Sequence, residues 1–429
     1  MPAMPPMPER LVLSGARLAD GRTVDVRLGG GRIEAVGPHG GLPAPAEAGG
    51  APCDRIDLSG YLLLPAPAEP HAHHATALTA LTALTAPQGA GAADRAEGPE
   101  DPQGSGALRR RITEAALIQL GHGATAQRTH VPVDGARGLA ALDAALATAR
   151  ALRGLADLTV VAVPGVLTGR AGADNRALLR EAAALGGRVA LGGRPDLDPD
   201  PAGHVDAVLG LAGAFGRAVD VHTDGADPAV LERLAGAAAG AGRRAVAVGP
   251  CAGLARLPAP LAARAADRLA AAGVAVVCLP QGPCAMAGRP AGAAPAGAAV
   301  APVPLLAAAG VRVAAGGGAL RDAVRPVGRG DPLEAAFLLA AAGARDAAGA
   351  YAAVSAGARA ALGLPEVRVE AGFPAELLAL RGDSVAGALS QAYSRLVVHG
   401  GRVAARTSAV REFGGAPADG LGLPRQATG

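Results

Sequence analysis

Short hydrophobic segments separated by glycine-rich turns occupy both ends of the chain. Near the N-terminus, residues 9–36 alternate apolar runs with turns, and IDLSGYLLLP at 56–65 adds another strand-like run. The same pattern returns in AELLAL (375–380), RLVVHG (395–400) and GRVAA (401–405). Because both ends carry the same strand signals, we predict one small β-sandwich domain built from residues 9–64 and 366–405.

Between these ends, buried strands alternate with helical stretches. Apolar runs that follow Ala-, Leu- and Arg-rich stretches are LTVVAV (158–163), RVALGG (188–193), AVDVHTD (218–224), RAVAVG (244–249), VAVVCLP (274–280) and VRVAAGGG (311–318). Repeated units of this kind indicate a parallel sheet. So many units in roughly 300 residues favour a closed (β/α)8 TIM-type barrel over an open sheet. No GxGxxG motif follows a first strand, which also argues against a Rossmann fold. We assign residues 65–365 to this α/β barrel.

Two segments lack the bulky apolar residues of a folded core. Residues 86–107 are rich in Gly, Pro and acidic residues, and this composition predicts a mobile loop. The C-terminal residues 406–429 have a similar composition and are predicted to form a disordered tail.

Composition and charge exclude several classes of function. The 429 residues are 50% hydrophobic, enough for one barrel and a small second domain. The chain contains no Lys, which excludes Schiff-base chemistry and metal sites bridged by a carbamylated lysine. The net charge is +3 with scattered Arg, which argues against nucleic-acid binding. The N-terminus has no signal-peptide pattern, and we see no membrane-spanning run, so we expect a cytoplasmic protein with buried, reduced cysteines.

The main candidate for chemistry is EPHAHH at 69–74, directly after the apolar run YLLLP. His71 and His73 are two residues apart, so on a strand both side chains lie on the same face. At the carboxyl end of a barrel strand they can share one metal ion. The alternative is an ordinary surface pair at a strand end, and His74 lies on the other face.

These motifs, in this order, resemble the amidohydrolase superfamily and its cytosine-deaminase-like branch. The similar segments are xLLLPxxxxPHxH, GATAQRTHVPVD (123–134), AVDVHTDGADP (218–228), RDAVRPVGRGDPLEAAFLLA (321–340) and the returning strands EAGFPAELLAL and RLVVHGGRV. The resemblance implies the barrel fold and hydrolysis of C–N bonds in cyclic, non-peptide substrates. It also implies one divalent metal, zinc or iron, with His71, His73 and His222 as ligands.

Several positions depart from the pattern of that family. The acid–base Glu of the HxDE motif is replaced by Gly225, the strand-end His by Pro250, and the metal-binding Asp by Gly318. The Asp after HxH is Ala75, and the substrate-amide Gln after Val163-Pro164 is missing. The active site is therefore predicted to be degenerate, and we expect little deamination of cytosine.

Three hypotheses follow for the function. The first is a divergent hydrolase in which Asp224 is a surrogate acid or base, with Asp322 as a second candidate. The second is an inactive amidohydrolase-fold protein, or pseudoenzyme, that binds a small molecule or modulates a partner enzyme. The third, which we weigh least, is a structural or assembly subunit.

His130 lines the barrel with Arg128 or is a hydrogen-bonded core histidine, and we favour the latter. A small-molecule substrate or ligand is the expected partner, and a homo-oligomer stays open.

Overall fold

A computed structural model describes residues 10–42, 53–80, 105–135, 138–240, 245–282, 300–323 and 325–410. The predicted mobile loop at 86–107 lies mostly outside these ranges, and its last three residues belong to a helix that begins at Ser105. The predicted tail begins inside a strand that ends at Thr407, and its residues from 411 onward are outside the description.

Eight parallel strands form the central barrel. In chain order they are β6 (Ala68–Ala72), β7 (Ala126–Val133), β8 (Asp157–Pro164), β9 (Val189–Gly193), β10 (Val219–Thr223), β11 (Val246–Pro250), β12 (Ala275–Cys278) and β13 (Arg312–Ala315). Their spatial order follows the chain from β6 to β13, and every adjacent pair is parallel. Nearly all of their residues are buried, which agrees with strands covered on both faces. The predicted barrel is confirmed.

Helices connect the strands and cover the outside of the barrel. They are α1 (Ser105–Gly121), α2 (Ala140–Ala151), α3 (Ala173–Ala184), α4 (Pro201–Phe215), α5 (Pro228–Ala238), α6 (Ala259–Ala271), α7 (Val303–Ala308), α8 (Pro332–Ala341), α9 (Ala347–Ala352), α10 (Ala358–Ala361) and α11 (Val385–Gln391). Three of them begin with Asp-Pro, which fits the N-cap and first-turn preferences of these residues. At the last of these, Asp331 accepts a hydrogen bond from the Leu333 amide at 2.9 Å, as its sequence predicts.

The strands from both chain ends form one mixed sheet beside the barrel. They are β1 (Arg10–Arg17), β2 (Thr23–Gly29), β3 (Arg32–Pro38), β4 (Cys53–Asp57), β5 (Tyr61–Pro65), β14 (Leu377–Arg381), β15 (Arg395–His399) and β16 (Arg402–Thr407). The two ends meet where β14 pairs antiparallel with β5. A small β unit made by both ends is thus confirmed, whereas the exact domain boundaries stay a prediction.

The sheet packs on the barrel through every second side chain of β5 and β14. Leu62 and Leu64, with Leu378 on the paired strand, belong to the hydrophobic core that includes the barrel helices. Leu63 and Leu377 point to the opposite face and join a separate core within the small β unit. One face of the sheet therefore packs on the barrel while the other has its own core, as the period of two requires.

The first and last barrel strands are joined by a buried carboxylate. Glu69 on β6 accepts hydrogen bonds from the Gly317 amide at 2.7 Å and the His71 amide at 3.1 Å. Gly317 follows β13, so the carboxylate bridges the two ends of the sheet order. A Cβ on Gly316 would lie 2.3 Å from Glu69 Oε1, so the glycine gives the carboxylate the space that it occupies.

No helix within the described ranges has the length and hydrophobicity of a membrane-spanning segment.

Candidate metal centre in the barrel

The HxH motif lies where the sequence places it, at the carboxyl end of the first barrel strand. His71 is inside β6 and is fully buried, while His73 follows the last residue of the strand and is partly buried. Their ring centroids are 5.2 Å apart. The buried Nε2 of His73 has no hydrogen-bond partner.

Two further pairs of polar residues point into the barrel from β7 and β10. Arg128 and His130 are two residues apart on β7, and Asp220 and His222 are two apart on β10. Arg128 Nη1 lies 3.0 Å from Asp220 Oδ2, and His130 Nε2 lies 3.5 Å from Asp220 Oδ1. Because β8 and β9 separate these strands in the sheet, the contacts must cross the interior. The barrel thus has a polar interior at this level.

The four histidines form one cluster, but they are not equally close. Ring centroids lie 4.0 Å apart for His71 and His130, 4.9 Å for His71 and His222, and 5.3 Å for His73 and His130. The distances from His222 to His73 and His130 are longer, at 5.9 and 6.4 Å. Ligand nitrogens of His71, His73 and His130 all lie within 4.8 Å of one another, the one such group of at least three His, Cys, Asp or Glu residues within the described ranges.

Burial controls the protonation of these histidines. It lowers the pKa of His71 to about 3, and the neighbouring His130 adds to this effect. Burial also lowers the pKa of His73 and His222 well below the usual range. Burial acts to raise the pKa of Asp220, but the charges of His130 and Arg128 outweigh it and hold the pKa below its usual range. The site therefore combines the neutral imidazoles of His71, His73 and His222 with one ionised carboxylate.

This donor set fits a divalent transition metal. Neutral imidazole nitrogen is a good ligand for zinc and iron, and three such ligands suffice for a catalytic zinc. His71, His73 and either His130 or His222 can supply them. The unpartnered Nε2 of His73 is a buried donor site that a metal would satisfy. The resemblance-based set of His71, His73 and His222 stays a proposal, because the geometry brings His130 closer to the motif.

The carboxylates proposed as surrogates lie in other contacts. Asp224 follows the end of β10 and forms an ion pair with Arg256, in which its side chain is 35% exposed. Asp322 is buried, and its Oδ1 accepts a hydrogen bond from the Arg325 amide at 2.7 Å. Within the described ranges, Asp220 is a carboxylate that contacts the histidine cluster, and it was not predicted from the sequence. Its position two residues before His222 was the available signal.

The substituted positions carry backbone that suits glycine. Gly225 and Gly318 have φ angles of +71° and +64°, a left-handed conformation that side chains rarely adopt. A Cβ on Gly318 would lie 3.1 Å from Leu279 Cδ1, and one on Gly225 would lie 3.3 Å from Cys251 Cα. Pro250 ends β11 beside Thr223 and has no donor nitrogen. None of the three positions supplies an acid or base.

Two polar residues next to the motif have structural partners. His74 Nε2 lies 2.8 Å from Gln119 Oε1, and the His74 amide donates to Thr129 Oγ1 at 3.0 Å. His74 is therefore held outside the cluster. Burial raises the pKa of Glu69 to about 7, although three backbone amides act against it. Glu69 was not predicted from the sequence, where its place two residues before His71 was the only clue.

An eight-stranded parallel barrel with HxH at the end of its first strand, and a small β unit from both chain ends, defines the architecture of the amidohydrolase superfamily. The fold of this chain is similar to that of amidohydrolase-superfamily proteins, and its structural neighbours are deaminases and hydrolases of that superfamily. The resemblance stated from the motifs is confirmed at this level.

Comparison with known proteins gives the particular relatives. N-isopropylammelide isopropylaminohydrolase from Burkholderia multivorans superposes with a TM-score of 0.77 at 28% identity, over 94% of this chain and 100% of that one. For 5-methylcytosine deaminase from Klebsiella pneumoniae, liganded with 5-fluorocytosine, the TM-score is 0.78 at 24% identity, covering 96% and 100%. Pterin deaminase from Rhizobium rhizogenes is 32% identical over 166 residues, which are 38% of this chain and 37% of that relative. No family model matches the chain.

Proposed function

We propose that the protein is a metal-dependent hydrolase that cleaves a C–N bond of a small, cyclic, non-peptide substrate. The observation that carries the proposal is the cluster of His71, His73 and His130 at the carboxyl end of the barrel, next to an ionised Asp220. Active sites of such barrels lie at the carboxyl ends of the strands. The named activities of the relatives, deamination and removal of an alkylamine, support the same reaction class.

His71 and His73 belong to both possible ligand sets, so we assign them as the invariant part of the metal centre. A bound divalent metal, zinc or iron, supplies Lewis acidity that makes water a stronger nucleophile at neutral pH. Burial keeps the imidazoles neutral, so their lone pairs are available without competition from protons. Arg128 fixes Asp220 at 3.0 Å, and Asp220 in turn holds the ring of His130 from the far side of the barrel.

For proton transfer we keep Asp224 as the proposed residue. It lies one residue beyond β10, the strand that carries His222, and its side chain is partly open to solvent. Arg256 pairs with its carboxylate, so a substrate group must enter this ion pair to receive or give a proton. A positioned acid or base contributes roughly 10²–10⁴ in rate, and this is the loss that we expect for Asp224→Asn.

The test is a turnover assay with metal-loaded protein on ring amines of three kinds: pterins, alkylamino-triazines of the isopropylammelide type, and methylated cytosines. We expect ammonia or amine release from at least one class, its loss in His73→Gln, and a strong reduction in Asp224→Asn. Asp206→Asn is the matched control, since Asp206 also forms a partly exposed pair, with Arg233. Cytosine and its methylated forms should be the poorest substrates on the panel, because a site without a hydrogen-bonding partner for the ring amide rejects such ligands.

The second candidate is an inactive amidohydrolase-fold protein that binds a small molecule or modulates a partner enzyme. The observation that favours it is the left-handed backbone at Gly225 and Gly318, where any side chain is strained and a Cβ would be in close contact with its neighbours. Stoichiometric metal without turnover of any cyclic amine on the panel would select this candidate over the hydrolase.

A further inference from the structure

Arg194 lies at the carboxyl end of β9, the same end of the barrel as the histidine cluster. It directly follows Gly193, the last residue of the strand, and its side chain is partly buried. β9 pairs parallel with β10, and Gly193 lies beside Val221. One position further along both strands, Arg194 is therefore level with His222.

The alternation of side chains along β9 directs Arg194 into the mouth of the barrel. A Cβ on Gly193 would lie 2.6 Å from the ring of His204 on α4, so this position faces the outer helices. A Cβ on Gly192 would instead lie 2.6 Å from Val161 Cγ1, which belongs to a small apolar cluster separate from the core of the helices. Because successive residues face opposite sides of a strand, Arg194 faces the interior, as Gly192 does.

Arg194 brings a permanent positive charge to the histidine cluster, because a guanidinium stays protonated at ordinary pH. Burial and the neighbouring rings lower the pKa of His73 and His222, and the charge of Arg194 adds to both shifts. The other interior arginine, Arg128, lies 3.0 Å from Asp220, so those two charges largely cancel. The charge of Arg194 is thus felt at the end of the barrel where a substrate would enter.

The substitutions at this end of the barrel change its charge in the same direction. Gly225 and Gly318 stand where the family pattern has a Glu and an Asp, so two carboxylates are absent. Asp196, two residues after Arg194, uses both of its oxygens on β10. They accept hydrogen bonds from Thr223 Oγ1 at 2.5 Å and from the next backbone amide at 2.7 Å. A site that lacks two acids and contains an arginine favours an anionic ligand.

We propose that Arg194 is an anion-binding residue of the active site, and that the substrate is a ring amine that carries a carboxylate. The planar guanidinium can donate two parallel hydrogen bonds to a carboxylate, which fixes both the position and the orientation of the ligand. This contact would orient the ring in place of the missing Gln after Val163-Pro164. The inference rests on the proposed function, since it names the substrate class of that hydrolase.

The test is a fluorescence titration of zinc-loaded protein with two pterins that differ in one substituent, pterin-6-carboxylate and 6-methylpterin. We expect wild type to bind the carboxylate more tightly. Arg194→Met should weaken binding of pterin-6-carboxylate about 10- to 100-fold, the range for a hydrogen bond to a charged group, and should change 6-methylpterin binding less than about 3-fold. Arg194→Lys, which keeps the charge but not the planar fork, should restore part of the lost affinity.

Arg188→Met is the matched control, because Arg188 lies just before β9, at the opposite end of the strand, and pairs with Asp157. It should change neither affinity. Equal weakening of both pterins by Arg194→Met, or a wild type that binds pterin-6-carboxylate no more tightly than 6-methylpterin, would overturn the inference.

The inference and the proposed hydrolase can fail separately. Selective loss of pterin-6-carboxylate binding in Arg194→Met, without turnover of any ring amine by wild type, would support the anion site and overturn the hydrolase. Turnover restricted to uncharged ring amines, at a rate that Arg194→Met leaves unchanged, would support the hydrolase and overturn the anion site. Thermal melting of each variant checks that it is folded.

Discussion

At the scale of single residues, the glycines that replace the expected carboxylates also have an unusual backbone conformation. Gly225 and Gly318 have the left-handed backbone that glycine adopts without strain, and both are closely packed. Replacing the lost carboxylates in this chain therefore has a structural cost in addition to any chemical gain. When these glycines are replaced, the left-handed backbone therefore favours loss of stability over a simple repair of the site.

Replacing Gly318 tests two costs: strain in the left-handed backbone and crowding of the new side chain against Leu279. Gly318→Asp should lower the free energy of unfolding by roughly 1–3 kcal/mol, because a side chain is forced into the left-handed region. The contact with Leu279 should add to that loss. Urea denaturation at pH 7 measures the change.

Two glycines of the helix α4 region provide the controls for this measurement. Gly216 has a φ of +66° with open space around it, so Gly216→Asp reports the backbone strain alone. Gly210 lies within α4, also in open space, and Gly210→Asp should have little effect. Equal stability of the Gly318 and Gly210 variants would contradict the argument.

The same reasoning limits a combined repair. Gly225→Glu, Pro250→His and Gly318→Asp together should give a less stable protein, so restored metal affinity has to be measured beside thermal melting. A triple variant that melts at the wild-type temperature and holds more metal would show that the backbone adapts at no cost. That outcome would favour a recently decayed hydrolase.

At the scale of elements, a buried carboxylate organises the hairpin of β1 and β2. Asp25 accepts hydrogen bonds from Ser14 Oγ at 3.0 Å and from the Gly15 and Gly40 amides at 2.9 and 3.1 Å. Burial acts to raise the pKa of Asp25, but the His39 contact and these hydrogen bonds outweigh it and lower the pKa to about 2. The ionised form is therefore favoured by the fold.

A pH dependence follows from this lowered pKa. Asp25 should contribute stability above its unfolded pKa of 3.8 and lose that contribution as the pH falls through about 2. We expect Asp25→Asn to cost roughly 1–2 kcal/mol at pH 7 and less near pH 2. Denaturation of both proteins between pH 2 and 7, run in parallel, checks the difference. A constant difference across this pH range would contradict the assignment.

A buried ion pair links β15 of the small β unit to the barrel helix α8. Arg395 Nη2 lies 2.6 Å from Asp331 Oδ2, and both side chains are almost fully buried. Arg395 also donates to the His122 carbonyl at 2.6 Å. Since Asp331 caps α8, the pair ties the helix start to the sheet from the chain ends.

Removing one partner of this pair should be costly. Arg395→Met should destabilise the protein by about 3–5 kcal/mol, because it leaves the buried Asp331 carboxylate without a close cation: Arg329 Nη2 is 3.7 Å away and largely exposed. Adding Asp331→Asn to that variant should restore part of the loss, which a double-mutant cycle measures by chemical denaturation. Arg233→Met, at an exposed pair, should change stability little. A double variant that is less stable than Arg395→Met would argue against an uncompensated charge.

At the scale of the whole molecule, metal binding and folding are linked. A metal that binds only the folded protein adds about 2.7 kcal/mol of stability at a free concentration one hundred times its Kd. We expect zinc to raise the melting temperature of wild type, and a chelator to reverse the shift. His73→Gln should abolish the effect, while His204→Gln should retain it. An unchanged melting temperature under saturating zinc would count against a metal centre in the barrel.

Much of the architecture was predictable from the sequence because it depends on local periodicity. Buried runs that alternate with helical stretches predict a parallel barrel, and the strand signals at both ends predict the shared sheet where β5 meets β14. The HxH motif predicted two residues of the cluster, since a period of two places both side chains on one side at the end of β6. These features need only the order of residues along the chain.

The composition of the site was decided by tertiary structure. Asp220 and His130 are 90 positions apart and lie on strands that are not neighbours, so their contact depends on closure of the barrel. Asp224, two residues after His222, was the acid chosen from the sequence, but its contact with Arg256 depends on how the loops beyond the strands are arranged. Local pattern thus determined which strands and motifs exist. Which side chains meet in the interior depends on which strands face each other across the closed barrel. No local pattern in the sequence encodes that arrangement.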